Sequence, residues 1–190
     1  MTEISNVKVY DLKESIIASG YPMRTDLEGE PFEDALKRAT RLAEQPSNSG
    51  HGNFLTGIRV SYDIKYPQYL SPQLQRYHFN DIVSSQSKMH RLAKLDIERS
   101  CNEYVAQGLI EVVKMLQEVY NDNPSYVNYM MLVSNCPLGL ELTMRCSTNY
   151  MQLKTIYKQR KNHKLKEDWG AYIEFIEKLP CSWLITESNE

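Results

Sequence analysis

The chain has 190 residues, of which 42% are hydrophobic and 24% are charged, which is typical of one globular domain with a substantial core over residues 1–190. A formal net charge of -2 argues against a generally basic surface that coats nucleic acid, although a local Arg and Lys cluster can still bind an anionic small molecule. No apolar run approaches the ~20 residues that span a bilayer, and the polar N-terminus is unlike a signal peptide, so we expect a cytoplasmic protein that does not contact a membrane.

Periodicity and proline positions predict three elements in the first third of the chain. Residues 7–12 alternate weakly and predict a short strand. Residues 31–45 open on a proline, with early acids and later bases, which predicts a helix. Residues 54–64 have apolar side chains at even positions, the period of a half-buried strand, and Pro67 closes it.

The middle of the chain predicts a short helix, a polar loop and a long core helix. Residues 68–80 are predicted to form the short helix. The Ser- and Gln-rich residues 84–91 are predicted to form the loop. Asn102 can cap a helix that runs to Tyr120. Its predicted inward face consists of Val105, Leu109, Val112, Val113, Leu116 and Val119.

The last third predicts one strand and two helices. Residues 138–146 place alternate apolar side chains on one face of a strand, and residues 149–160 and 168–179 have helical periodicity. The Met- and Tyr-rich residues 126–135 are interpreted as packing between helices or subunits, because Met fills irregular apolar gaps. In the final helix, the side chains predicted to point inward are Trp169, Tyr172, Ile173 and Ile176.

The cysteines are scattered and form no Cys-x-x-Cys pair. This spacing predicts neither a zinc site nor a disulfide scaffold, and we expect reduced thiols and no bound metal. The four are Cys101, Cys136, Cys146 and Cys181.

A polar cluster follows Pro67. Gln73 and Arg76 are one helical turn apart and share a face, and His78 extends from its end. The planar Arg fork suits phosphate, and a charged His donates from both ring nitrogens. Such a cluster can bind an anion, although the three residues by themselves do not specify one.

Two stretches of this chain resemble the flavin-dependent thymidylate synthase family. From His51 to His78 the order is His-Gly, strand, Lys-x-Pro and Gln-x-x-Arg-Tyr-His, where the family has His-Gly, strand, Lys-x-Pro and Gln-x-x-Arg-His-Arg. A second stretch preserves the family's spacing of eleven residues between Asn149 and Arg160. The resemblance implies an α/β domain with a central, mostly antiparallel twisted sheet flanked by helices.

The resemblance also implies roles for individual residues. Gln73 and Arg160 become substrate contacts, with Arg160 the catalytic cation. The family has Ser-x-Arg seven residues after its triplet, where this chain has Gln86, Ser87 and Lys88. Either Ser87 and Lys88 bind the substrate here or Arg91 takes the arginine's place, and the spacing does not decide between them. The residues implied to contact FAD are His51, Arg76, His78, Asn149, Thr155 and His163.

The implied activity is reductive methylation of deoxyuridylate (dUMP), or a close pyrimidine nucleotide, at carbon 5 to give thymidylate (dTMP). Methylenetetrahydrofolate donates the one-carbon unit, NADPH is the reductant, and FAD is the cofactor. A cation at the ring carbonyls stabilises the negative charge that develops on the pyrimidine. The family's members are homotetramers whose active sites lie between subunits.

Several departures from the family pattern keep a second interpretation open. Tyr77 and His78 stand where the family has His and Arg, Met151 replaces a flavin-contacting Arg, and Val133 replaces an Arg that helps to hold the nucleotide phosphate. The alternative is a diverged, non-catalytic nucleotide-binding relative, or a modifier of another pyrimidine nucleotide.

Two further interpretations have weaker support. The Pro-Cys at Cys181 invites comparison with the nucleophile of the classical, flavin-free thymidylate synthases, but Ser, Trp and Leu follow it, and a buried thiol explains it better. The basic residues 158–166 are the one feature that favours nucleic-acid binding, and a solvated helix end explains them equally well.

Overall fold

The computed structural model describes residues 1–27, 29–46 and 49–187. Within these residues, four strands form one antiparallel sheet: β1 Glu3–Tyr10, β2 Arg59–Pro67, β3 Asp81–Ser85 and β4 Glu141–Asn149. Their spatial order is β1, β2, β4, β3. The predicted α/β class with a central antiparallel sheet is confirmed.

The helices differ widely in length, from one turn to four turns. None of the helices in the described ranges is both long and apolar enough to cross a membrane. They are α1 Leu12–Ala18, α2 Phe32–Ala43, α3 Ser71–Leu74, α4 Lys88–Arg91, α5 Ile97–Ser100, α6 Gln107–Asp122, α7 Tyr126–Ser134, α8 Tyr150–Arg160, α9 Lys166–Glu177 and α10 Trp183–Thr186.

The central strands β2 and β4 pair without a register shift, from Arg59 opposite Asn149 to Pro67 opposite Glu141. Alternate side chains of β2 are fully buried against α8 and α9, as the period of two predicts. The predicted strand over residues 54–64 was displaced, because Phe54 lies in a 3-10 turn and β2 begins five residues later. Pro67 is the last residue of β2, as predicted.

The N-terminal prediction was wrong in position. β1 begins at Glu3 and ends at Tyr10, and Asp11, with φ of 59°, turns the chain into α1, which the alternation did not predict. The predicted helix after Pro31 is confirmed as α2.

Residues 68–91 also differ from the prediction. In place of one helix over residues 68–80 there is a 3-10 turn, Gln68–Leu70, followed by the single turn of α3. The predicted loop over residues 84–91 contains the end of β3 and all of α4. Each residue of β3 is exposed at the sheet edge, so the strand carries no hydrophobic alternation by which it could be recognised.

The long helix α6 begins later than predicted, because Asn102 does not cap it. Ala106 is at the N-cap, and Asn102 is buried, its backbone N–H donating to the Gly139 carbonyl at 3.0 Å. The buried face is also rotated from the predicted one: Ile110, Val113 and Leu116 are buried and pack in a second hydrophobic cluster with α7. Predicted inward residues that are substantially exposed are Leu109, Val112 and Val119.

The C-terminal third follows the predictions closely. β4 lies three residues beyond the predicted strand over residues 138–146, and Leu138 is exposed. Helices α8 and α9 begin and end within two residues of the predicted positions. Trp169, Tyr172 and Ile176 are buried as predicted, and Ile173 is partly buried at the edge of the same cluster.

A buried hydroxyl pair joins the sheet to α9 and supports a stability prediction. The Tyr62 hydroxyl donates to Asn80 Oδ1 at 2.7 Å and lies 2.6 Å from the Tyr172 hydroxyl. Tyr62→Phe leaves a buried acceptor without its donor, so we expect a loss of about 1–3 kcal/mol in the free energy of unfolding. Denaturant titration measures it, with half-exposed Tyr10→Phe as the control, and equal stability of the two variants would contradict the prediction.

Candidate functional site

The turn that follows α3 packs along the start of α8. Thr148 Oγ1 donates to the Phe79 carbonyl at 2.7 Å, and the Phe79 N–H donates to Gln152 Oε1 at 3.2 Å. Asn149 caps α8 by accepting the Gln152 N–H at 2.8 Å. These bonds bring the residues after Gln73 and those after Asn149, distant in sequence, to one place.

The two stretches together line a cavity of about 470 Å³. This volume is within the range of small-molecule sites. No carboxylate is among its described lining residues, so the cationic side chains give the cavity a positive potential. The lining residues are Arg76, Tyr77, His78, Phe79, Met151, Gln152, Thr155, Gln159 and Arg160.

Arg160, the last residue of α8, is held by neutral groups. Its Nε donates to the Tyr77 hydroxyl at 2.6 Å and its Nη1 to Gln73 Oε1 at 3.2 Å. The guanidinium carbon lies 4.6 Å from the ring centroid of Trp169, a cation–π contact. Among the residues that the structure describes, no carboxylate pairs with Arg160, so its positive charge is available to a ligand.

Gln73 connects Arg160 to α9. Its Oε1 also accepts the indole N–H of Trp169 at 3.1 Å, so one amide oxygen fixes both the cation and the ring beneath it. Trp169 is 1% exposed, which keeps water from that face of the guanidinium. Arg160 also lines a second cavity of about 260 Å³ with Lys161, His163, Lys166 and Trp169, and therefore stands between two cavities.

His163 lies in the turn after α8, at the second cavity. Its Nδ1 accepts the Leu165 N–H at 3.2 Å, and its ring centroid is 6.1 Å from that of Trp169. Burial lowers the pKa of His163, and the nearby cations Arg160 and Lys164 lower it further. The neutral imidazole is therefore favoured.

The other residues predicted to contact the flavin occupy different positions around the first cavity. Thr155 lines it and donates its hydroxyl to the Met151 carbonyl at 3.3 Å, whereas the amide of Asn149 is used in capping α8. His51 is exposed and is not among the lining residues, but a Cβ on its neighbour Gly52 would lie 3.1 Å from the Met151 side chain. The His51 turn therefore packs beside a residue that lines the cavity.

A second group of predicted substrate residues lies elsewhere in the same copy of the chain. Gln86 exchanges hydrogen bonds with the backbone of Thr143, and Ser87 caps α4 by accepting the His90 N–H. Thr143 precedes Thr148, the residue beside the cavity, by five positions on β4, a distance of roughly 16 Å. The structure therefore places Gln86, Ser87, Lys88 and Arg91 away from the cavity.

Sequence reasoning treated Tyr77 only as a departure and did not single out Gln152 or Gln159. Residues 152, 155 and 159 share one face of α8, so their helical spacing was a usable signal once Thr155 had been selected. Nothing in the sequence indicated that Tyr77 bonds to Arg160.

The Cys181 thiol does not have the environment of a nucleophile. Burial raises its pKa, whereas a catalytic thiol needs a lowered one. This observation supports the interpretation of Cys181 as a structural residue.

No family model and no curated protein sequence matches the chain. Its fold, however, is similar to a Helicobacter pylori thymidylate synthase X (ThyX) structure with FAD and dUMP, at a TM-score of 0.71 and 14% identity over 98% of this chain and 97% of that one. A second H. pylori ThyX structure, complexed with FAD and dUMP, has a TM-score of 0.66 and 12% sequence identity over 97% of each chain. The structure of the UMP/dUMP methylase PolB from Streptomyces cacaoi, bound with 5-Br dUMP, has a TM-score of 0.64 and 13% sequence identity over 93% of this chain and 88% of that one. The resemblance predicted from the sequence is thus confirmed at the level of the fold.

The pKa of His163 tests its closeness to Arg160. We expect Arg160→Gln to raise this pKa toward the usual value near 6.5, because one of the cations that oppose protonation is removed. An NMR titration of the ring resonances, assigned with His163→Gln, measures the shift. Arg76→Gln is the control, since Arg76 is not among the groups that shift this pKa, and the same result for both variants would contradict the prediction.

Proposed function

We propose that this chain is a flavin-dependent pyrimidine-nucleotide methyltransferase that converts dUMP, or a close relative, to its 5-methyl product. In this proposal FAD is the cofactor, and NADPH and methylenetetrahydrofolate are co-substrates. The observation that carries it is the Arg160 cation, which lies where two cavities meet and which, among the described residues, is held by neutral side chains only. Similarity to folds whose structures hold FAD and dUMP supports it.

Arg160 has the properties that activation of carbon 5 requires. Negative charge builds up on the ring carbonyls as that carbon attacks a one-carbon donor, and a preoriented cation stabilises this charge. Trp169 shields one face of the guanidinium from water, which strengthens the interaction. Gln73 fixes the geometry and, in this proposal, also borders the pyrimidine.

The larger cavity fits the chemistry of a flavin nucleotide. Arg76 and His78 are exposed donors at its wall and are suited to phosphate and ring oxygens, and Thr155 adds a hydroxyl. When bound, the reduced flavin would supply the hydride that completes the methyl group. His51 and Asn149 are proposed as further flavin contacts at the edges of this site, and His163 as one at the second cavity, which shares Arg160 with the first.

We further propose that a second copy of the chain completes the nucleotide site, within a homotetramer. The second group of predicted substrate residues lies too far from Arg160 to act with it in one copy of the chain. This group consists of Gln86, Ser87, Lys88 and the other candidate cation, Arg91. The exposed apolar side chains of α6 and α7 suit a protein contact. They are Leu109, Val112, Met115, Val119, Tyr126, Val127, Met130 and Met131.

The alternative function is nucleotide binding without catalysis, or action on another pyrimidine nucleotide. Its specific support is Val133, which replaces a phosphate-binding Arg and is partly buried against the second hydrophobic cluster rather than directed to a ligand. His78 and Met151 also reduce the permanent positive charge of the larger cavity.

Flavin binding separates these two functions. We expect purified protein to be yellow and to release FAD on denaturation, and Arg76→Ala to weaken FAD binding about tenfold or more because a charge-assisted hydrogen bond is lost. Quenching of flavin fluorescence measures the affinity. Arg99→Ala, on the exposed side of α5, is the control. A colourless protein that takes up no added FAD would favour nucleotide binding without catalysis.

Arg160→Ala tests the catalytic assignment directly. We expect nucleotide-dependent oxidation of the reduced flavin to fall by about 100-fold or more, since a preoriented charge stabiliser is removed. Arg99→Ala should retain activity, and thermal unfolding should show that both variants are folded. Unchanged turnover in Arg160→Ala would remove Arg160 from the mechanism.

A further inference from the structure

We infer that Tyr77 is a positioning residue, which directs Arg160 toward the pyrimidine ring rather than toward the phosphate of the nucleotide. This inference rests on the proposed function, and it concerns one of the two residues, Tyr77 and His78, at which the chain departs from the family's Arg-His-Arg triplet.

Tyr77 is itself held rigidly. It is 8% exposed, and its hydroxyl, which accepts from Arg160 Nε at 2.6 Å, also donates to Gln159 Oε1 at 3.2 Å. Its ring meets that of Trp169 edge-on, with centroids 6.3 Å apart and planes at 83°. Both the hydroxyl and the ring are therefore fixed before any ligand binds.

The bond to Tyr77 limits how Arg160 can bind a ligand. A guanidinium has five N–H donors, and it binds phosphate or carboxylate bidentately either through Nε and Nη2 or through its two Nη atoms. Tyr77 occupies Nε, and Gln73 occupies one N–H of Nη1. Three N–H groups remain, two on Nη2 and one on Nη1, so the edge that contains Nε is closed.

Trp169 adds a second limit, because it covers one face of the guanidinium at 4.6 Å. In the observed arrangement one face of the cation packs on the indole and its Nε is bonded to Tyr77. What it presents to a ligand is its Nη end, and the phosphate-binding mode that uses Nε and Nη2 is closed. The Nη end can donate to the carbonyl oxygen of a planar ring, and in the proposed function other cations bind the phosphate.

The residue type at position 77 matters for this function. Phenylalanine would fill the same volume and keep the edge contact with Trp169, but would leave Arg160 Nε without its acceptor. A histidine, when protonated, would place a second cation beside Arg160 and oppose its charge. The tyrosine hydroxyl accepts the bond without adding charge.

The first test needs no ligand. In NMR spectra the Arg160 Nε–H, assigned by its loss in Arg160→Lys, should exchange with water about tenfold or more faster in Tyr77→Phe than in the wild type. The matched control is Tyr157→Phe, which deletes a hydroxyl from the same helix as Arg160, where it donates to Glu177 at 2.9 Å. An exchange rate that is unchanged in Tyr77→Phe, or raised equally in both variants, overturns the inference.

The second test locates the effect on the ligand. Calorimetry with dUMP and with deoxyuridine, which lacks the phosphate, should show Tyr77→Phe weakening the binding of both by a similar factor, about fivefold or more. Tyr157→Phe should bind both as the wild type does. A loss confined to dUMP would assign Arg160 to the phosphate and overturn the inference, as would unchanged affinity for both ligands.

The two proposals fail in different ways. If wild-type protein binds neither dUMP nor deoxyuridine, the proposed function fails, and the ligand-directed part of this inference fails with it. The exchange rate of the Arg160 Nε–H still decides whether Tyr77 holds Arg160. If both ligands bind and the exchange rate does not respond to Tyr77→Phe, the proposed function stands and the role of Tyr77 is refuted.

Discussion

The junction at which β4 becomes α8 determines the position of the whole candidate site. Asn149 ends the strand and caps the helix, so the direction of α8 is set by the unshifted pairing of β4 with β2. Thr148 and Gln152, on the two sides of this junction, bind the backbone of Phe79. Any slip of β4 against β2 would move Arg160 away from Tyr77 and Gln73, because a shift of one residue also exchanges the faces of a strand.

The electrostatics of the site depend on the absence, among the described residues, of a carboxylate that pairs with Arg160. A carboxylate partner would hold the guanidinium as firmly, but would also neutralise the positive charge that the proposed function requires. Amide and phenol oxygens with an aromatic face give the orientation without that neutralisation. The same cation helps to lower the pKa of His163, so its field reaches into the second cavity.

The departures from the family pattern lie in different regions of the structure, and Val133 packs at the second hydrophobic cluster. Gln73, Trp169 and Arg160, which face the substrate in the proposed function, form one connected network, whereas the replacements at His78 and Met151 lie in the larger cavity, which we propose as the flavin site. In the proposed function the chain therefore retains the residues that contact the pyrimidine and has fewer permanently charged contacts to the cofactor. Tyr77 lies between these regions, because it lines the larger cavity and its hydroxyl bonds to Arg160.

The sequence by itself determined the elements whose side chains repeat with a clear period. β2, α2, α8 and α9 were predictable because one face of each is buried, and the eleven-residue spacing from Asn149 to Arg160 indicated α8 as the helix of the candidate site. Local patterns gave wrong predictions where a tertiary contact determines the structure. The edge strand β3 is exposed throughout and has no hydrophobic period. Asn102 is a good N-cap by residue type, but it is buried against residues distant in sequence.

Only the tertiary structure decided which polar residues meet. Tyr77 and Arg160 are 83 positions apart, and no local propensity describes a hydrogen bond between them. Their contact depends on the sheet register and on the packing of α8 against α9, which are properties of the assembled core. The same core separates residues 86–91 from the cavity, although they follow Arg76 closely in sequence, because β3 carries the chain away along the sheet edge.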